Sequence, residues 1–269
     1  MQASKIMPKI LDRLGFDRIS KEDRPYIVED FVFQPSDYPS AKGLRSVHED
    51  VTLEETPLAL CRQFHLQHQA QAHTALKLRL ALCWNGFRDA LNLLAYCSQS
   101  FQRGIPEAAV VNAAEKHGAG DFGLAWAWSG EGEPDILAFV KNNIFVGVEG
   151  HDAAAIVRPF ARELAEALGK LRTGGPYGDE SFGLLDDVRR RVGDAPSLPS
   201  GGRLELGVLP PDGWTYFFLT SSGSVNRSPE NKDSWYYRAG AQKGRQELIL
   251  FRVGRGIVPI RERLTVEVM

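Results

Sequence analysis

The chain has 269 residues, 43% of them hydrophobic and 25% charged, so it is long enough for two ordinary domains and too apolar to be disordered. Its net charge of −2 leaves no basic surplus to neutralise phosphates, which argues against a general nucleic-acid binder. No apolar run approaches the ~20 residues of a membrane helix, and the opening "MQASKIMPKILDRLGF" lacks the continuous apolar core of a signal peptide.

Ile6, Ile10, Leu11 and Leu14 fall at helical spacing and predict a short amphipathic helix. Residues 17–57 are polar and proline-containing. Apart from a short strand through Tyr26, Val28, Phe31 and Phe33, they read as coil, and residues 1–57 as a segment wrapped around the domain that follows. Residues 58–84 predict two strands. In the second, Leu76, Leu78, Leu80, Leu82 and Trp84 alternate with Ala75, Lys77, Arg79, Ala81 and Cys83, the period-two signature of a strand. Asn85-Gly86 breaks it. Phe87, Ala90, Leu91, Leu94, Cys97 and Phe101 then form a helical stripe.

Residues 102–120 predict a loop with a helical turn. "GDFGLAWAWSGEGEPDILAFVKNNIFVGVEGHD" follows as three strands, and Asp152 is the expected N-cap of a helix burying Ile156, Phe160, Leu164, Leu168 and Leu171. The expected first domain, residues 1–175, is therefore α+β: an antiparallel sheet with two helices on one face. "RTGGPYGDES" reads as a linker. Residues 176–269 form short runs rich in Val, Ile, Leu, Tyr and Phe, divided by Pro-Asp-Gly, Ser-Ser-Gly, Ala-Gly and Lys-Gly, the texture of a β-sandwich. In "QELILFRV", Ile249, Phe251 and Val253 are expected between the sheets and Arg252 outside.

"SGGRLELGV", "WTYFFLTSSGSV", "DSWYYRAGAQKGRQELILFRV" and "RLTVEV" resemble bacterial immunoglobulin-like modules of the PKD type. The resemblance implies an Ig-like β-sandwich over residues 176–269. "FRDALNLL", "GAGDFGLAW" and "AFVKNNIFVGVEG" leading to "IVRPFARELAEAL" resemble uncharacterised exported bacterial α+β domains. Both resemblances imply a periplasmic or extracellular setting, and the second carries no enzyme activity.

The chemistry-bearing residues point the same way. His65 and His73 share strand parity and His68 does not, so the three cannot chelate one ion on an extended chain, and no metal is expected. H-E-x-x-H, Cys-x-x-Cys and G-x-S-x-G are absent, no dinucleotide or Walker fingerprint occurs, and no cofactor is expected. Cys61, Cys83 and Cys97 lie in apolar segments and read as buried thiols. Arg252, Arg255, Arg261 and Arg263 read as a solvated edge. The candidate ligand-binding residues are His65, His73, Trp126, Trp128, Trp214 and Trp235. The expected function is that of a non-catalytic, exported binding or accessory protein for a polysaccharide or a cell-envelope partner. The alternative is a hydrolase or lyase with a site at an interdomain cleft built from His65, His73 and His117.

Overall fold

The computed structural model describes residues 6–19, 24–71, 73–100, 110–129, 132–210 and 212–269. The chain divides into two compact units. The first comprises Met1–Tyr177 with Gly256–Val258, the second Gly178–Arg255 with Pro259–Met269.

The first unit is α+β. Helix α1 (Ile6–Arg13) is followed by β1 (Tyr26–Ile27), β2 (Leu44–Glu55), β3 (Leu58–His68), β4 (Ala75–Cys83), α2 (Phe87–Ser100), β5 (Val111–Asn112) and α3 (Ala113–His117). Strands β6 (Phe122–Trp126), β7 (Ile136–Lys141) and β8 (Ile144–His151) lead to α4 (Ala154–Gly169) and β9 (Thr173–Gly174). Seven strands form one sheet in the order β2-β3-β4-β8-β7-β6-β5, and all its pairings are antiparallel.

The register sorts the side chains between the two faces. Cys61, Ala81, Cys83, Phe145, Ala138 and Leu124 share a core with Phe87, Ala90, Leu91 and Leu94 of α2 and with Ile10 and Leu11 of α1. The opposite parity carries Phe64, Leu78, Val146 and Gly150. There α4 packs, with Val157 directly over Gly150, while Phe160 meets Phe33, and Phe33 meets Phe64 at 4.8 Å between ring centroids. The two helices therefore cover opposite faces, which corrects the expectation of one shared face. The cause lies in β4, β6 and β7. Their second parity carries Ala81, Cys83, Trp126, Ala138 and Val140, all buried, so both faces need a cover.

The described part of the 1–57 segment is also more ordered than its polarity suggests. It supplies β2, a twelve-residue edge strand exposed along most of its length, where no apolar alternation is needed. Phe31 and Phe33 are buried without forming a strand, while β1 pairs with β9. Asp152 sits in the left-handed region (φ 49°), and Ala153 occupies the N-cap position of α4 with no side-chain cap. The expected linker begins inside this unit: the Tyr177 hydroxyl accepts from Asn143 Nδ2 at 2.8 Å, and its ring lies 4.5 Å from that of Trp84. Of the expected loop at 102–120, residues 102–109 lie outside the described set, as does Phe101 of the expected helical stripe. The anticipated helical turn is α3, whose N-cap Asn112 accepts from Ala114 N–H at 3.0 Å.

The second unit has α5 (Leu184–Val192), β10 (Ser197–Leu198), β11 (Arg203–Val208), β12 (Thr215–Thr220), β13 (Ser224–Arg227), β14 (Ser234–Arg238), β15 (Gly244–Val253) and β16 (Ile260–Val268). One sheet runs β10-β16-β15-β12 and the other β11-β14-β13. Leu204 and Leu206 from the second sheet, Leu248, Leu250, Leu264 and Val266 from the first, and Leu185 and Val188 of α5 share one core. Helix α5 was not anticipated from the sequence. The parity expected for "QELILFRV" is reversed: Leu248 and Leu250 join the shared core, Ile249 is half-exposed, and Phe251 and Val253 are buried on the other parity. Both parities of this strand are apolar, so alternation alone does not choose between them.

Candidate functional site

Beyond the reach of α2, the same sheet face turns polar. Directly paired residues place His65 beside Lys77, Lys77 beside Glu149, Gln63 beside Arg79, and Arg79 beside Gly147. Gln63 Nε2 lies 2.9 Å from His65 Nε2, and the His65 ring centroid lies 5.6 Å from that of His48, whose Nε2 is 2.9 Å from Asp50 Oδ2. Arg79 directs Nη1 at Cys97 Sγ (3.2 Å) and Nη2 at Cys61 Sγ (3.6 Å) and Glu54 Oε1 (3.2 Å). Burial pushes the Cys61 thiol up to about 11, against the opposing pull of Arg79, and raises Cys97 and Cys83 by the same cause. Of these groups Gln63, Lys77, Arg79, Cys97 and Glu149 border a hollow of about 270 Å³ whose apolar wall is made by Ile136, Ala138, Phe145 and Gly147.

The other histidines do not join this cluster. His68 Nδ1 accepts from Ala70 N–H at 3.2 Å, and its ring lies against Gly43. His73 is exposed in the β3–β4 connection. His117 ends α3 and, with Lys116, Arg158 and Arg162, lines a separate hollow of about 520 Å³ on the α4 side of the sheet. Burial, followed by the nearby charges of Lys116 and Arg158, lowers its pKa. His65 and His117 thus belong to opposite faces. Among the described residues, no group of three or more His, Cys, Asp or Glu is placed to hold a metal ion. No helix among them is long and apolar enough to cross a membrane.

Trp126 and Trp128 do not form a joint aromatic surface. Trp126 is 3% exposed in the α2 core, whereas Trp128 is 49% exposed beyond the end of β6, its N–H donating to Asp135 Oδ2 at 2.7 Å.

Trp214 and Trp235 belong to a band of aromatics in the second unit. Tyr216 and Phe218 of β12 pair with Arg252 and Leu250 and share their inward parity. They lie where β12, the edge of one sheet, comes near β13, the edge of the other. Phe218 meets Trp235 at 5.3 Å, and Phe182 meets Tyr216 at 6.3 Å. At the far end the Arg252 guanidinium stacks 4.1 Å from the Trp214 ring and 5.6 Å from Phe182. Asp212 organises this end: its Oδ2 accepts from the Tyr216 hydroxyl (2.8 Å) and from Arg252 Nη2 (3.3 Å), and its Oδ1 from Trp214 N–H (3.1 Å). Desolvation works against the Asp212 carboxylate, yet these donors hold it below its usual value. Tyr216 is pushed up to about 12, first by desolvation and then by its bond to Asp212. Trp214 remains 36% exposed and rests on Gly254, where an added Cβ would meet the ring at 2.6 Å.

Asp212 and Tyr216 are not among the residues the sequence singles out, and Arg252, expected there on a solvated edge, instead faces Trp214 and Asp212. The signal for the first two is the spacing Asp212-x-Trp214-x-Tyr216 after a turn, which can place three such groups on one side of an extended chain. No family model, curated protein or solved structure matches the chain.

Proposed function

We propose that the protein acts by binding rather than catalysis, and that the aromatic band of the second unit recognises a polysaccharide of the cell envelope. The observation that carries this reading is the Trp214 end of the band. A partly exposed indole packs against Gly254 with the Arg252 guanidinium over its ring and the Asp212 carboxylate beside it. Pyranose rings present apolar C–H faces that stack on flat aromatics, and hydroxyls that pair with such charged groups. Two sheets of four and three strands around one core support reading this unit as an immunoglobulin-like module. An exported, periplasmic or extracellular setting belongs to the same proposal. The hydrolase or lyase alternative draws no support from the placement of His65, His73 and His117.

The test is co-sedimentation of the full chain with insoluble cellulose, chitin and peptidoglycan, compared with Trp214→Ala and Asp212→Asn. Retention on at least one polymer, reduced about tenfold or more in both variants, is expected. Absence of retention on all three, or retention indifferent to both substitutions, would overturn the assignment.

A further inference from the structure

The hollow on the α2 face of the first unit has features that fold stability does not demand. Gly147 lies inside β8 with an unstrained φ, and a Cβ there would meet nothing nearer than Phe145 Cζ at 3.5 Å. A side chain would fit. Glycine inside a strand weakens it and often marks a place where another molecule approaches. Ala138, directly paired with Gly147 on β7, extends the small-residue wall.

The rim is electrostatically mixed. Arg79 and Lys77 stand on one side of the hollow and Glu149 on β8. Lys77 and Glu149 are direct cross-strand neighbours, yet among the described residues neither forms an ion pair. Two of the Arg79 hydrogen bonds end on thiols, which are weak acceptors and readily give way to a carboxylate. With Gln63 Nε2 directed at His65, Gln63 Oε1 is left as an acceptor at the rim.

We infer that this hollow is a binding site for a small apolar amino acid. Its carboxylate lies on Arg79 and Lys77, its ammonium on Glu149 and Gln63 Oε1, and its side chain against Ile136, Ala138 and Phe145. A hollow of about 270 Å³ has room for one such molecule. The site is independent of the polysaccharide surface, which lies in the other unit.

Isothermal titration of the full chain with L-leucine and L-phenylalanine tests this, alongside leucinamide and isocaproate, which each lack one of leucine's charges. Saturable binding of leucine or phenylalanine is expected, with each one-charge analogue weaker than leucine by about tenfold or more. Gly147→Val should remove binding by occupying the hollow while leaving the melting temperature undiminished. Glu149→Gln, a substitution at the rim, should weaken leucine about tenfold and leave isocaproate unchanged. Absence of saturable binding by either amino acid, isocaproate binding as tightly as leucine, or indifference of leucine affinity to Glu149→Gln would overturn the inference. Each of these readings stands even if Gly147→Val does not fold.

Discussion

Asn143 shows how much one side chain can hold together. It is fully buried, its Oδ1 accepts from Ile27 N–H at 2.9 Å, and its Nδ2 donates to Cys83 O and to the Tyr177 hydroxyl. Three stretches distant in sequence thereby meet at one amide. Asn143→Ala leaves several buried polar groups without partners, so a loss of about 2–4 kcal/mol is expected in urea unfolding. The thiols make a second case at this scale. Cys61, Cys83 and Cys97 are buried and their pKa values raised, so the reactive thiolate is scarce at neutral pH. Labelling of the native protein by iodoacetamide should be slow and should rise steeply with pH from 7 to 9, without a plateau. Asp212 behaves in the opposite sense. Its folded pKa is depressed, so its stabilising contribution is present above the usual carboxylate value of 3.8 and is lost as pH falls through the lower folded value. Fluorescence of the Trp214 end should report that loss in acid, and Asp212→Asn should abolish it.

Helix α5 depends on a residue far from it in the chain. Glu262 of β16 is buried, and its carboxylate accepts from the backbone N–H groups of Phe182, Gly183 (2.7 Å) and Leu185 (2.8 Å) at the start of the helix. Those donors have no partners within the helix, and a negative charge at that end also complements its dipole. Glu262→Gln should cost about 1–3 kcal/mol and reduce helicity by circular dichroism. A loss no greater than that of an exposed Glu→Gln control would show the cap to be dispensable. No local pattern reveals this arrangement, because a capping group normally lies next to its helix. Strand β15 teaches a related point. Arg252 lies on the same parity as Leu248 and Leu250, and that parity faces the core. It is tolerated there because it sits near the strand end, where its guanidinium stacks on Trp214 and Phe182 and reaches Asp212.

At the scale of the molecule, each unit has a hydrophobic core of its own, around α2 in the first and between two sheets in the second. Two separately buried cores favour two unfolding transitions. Scanning calorimetry of the full chain should give a calorimetric enthalpy larger than the van't Hoff enthalpy, and a single two-state transition would contradict that. The sequence by itself determined what local physics controls. The alternation of β4, the apolar stripe of α2 and the burial of three cysteines in apolar runs are all matters of spacing and composition. Only the tertiary structure decided which face each helix covers, that the acidic and polar stretch 44–55 is an edge strand, and which parity of β15 points inward. It alone brought Asp212, Trp214 and Tyr216 to Arg252, and set Gly147 opposite Arg79. The physical reason is shared by all of these. A strand or helix with apolar residues on more than one side satisfies local rules in several orientations, and the choice among them rests on what the rest of the chain brings to pack against it.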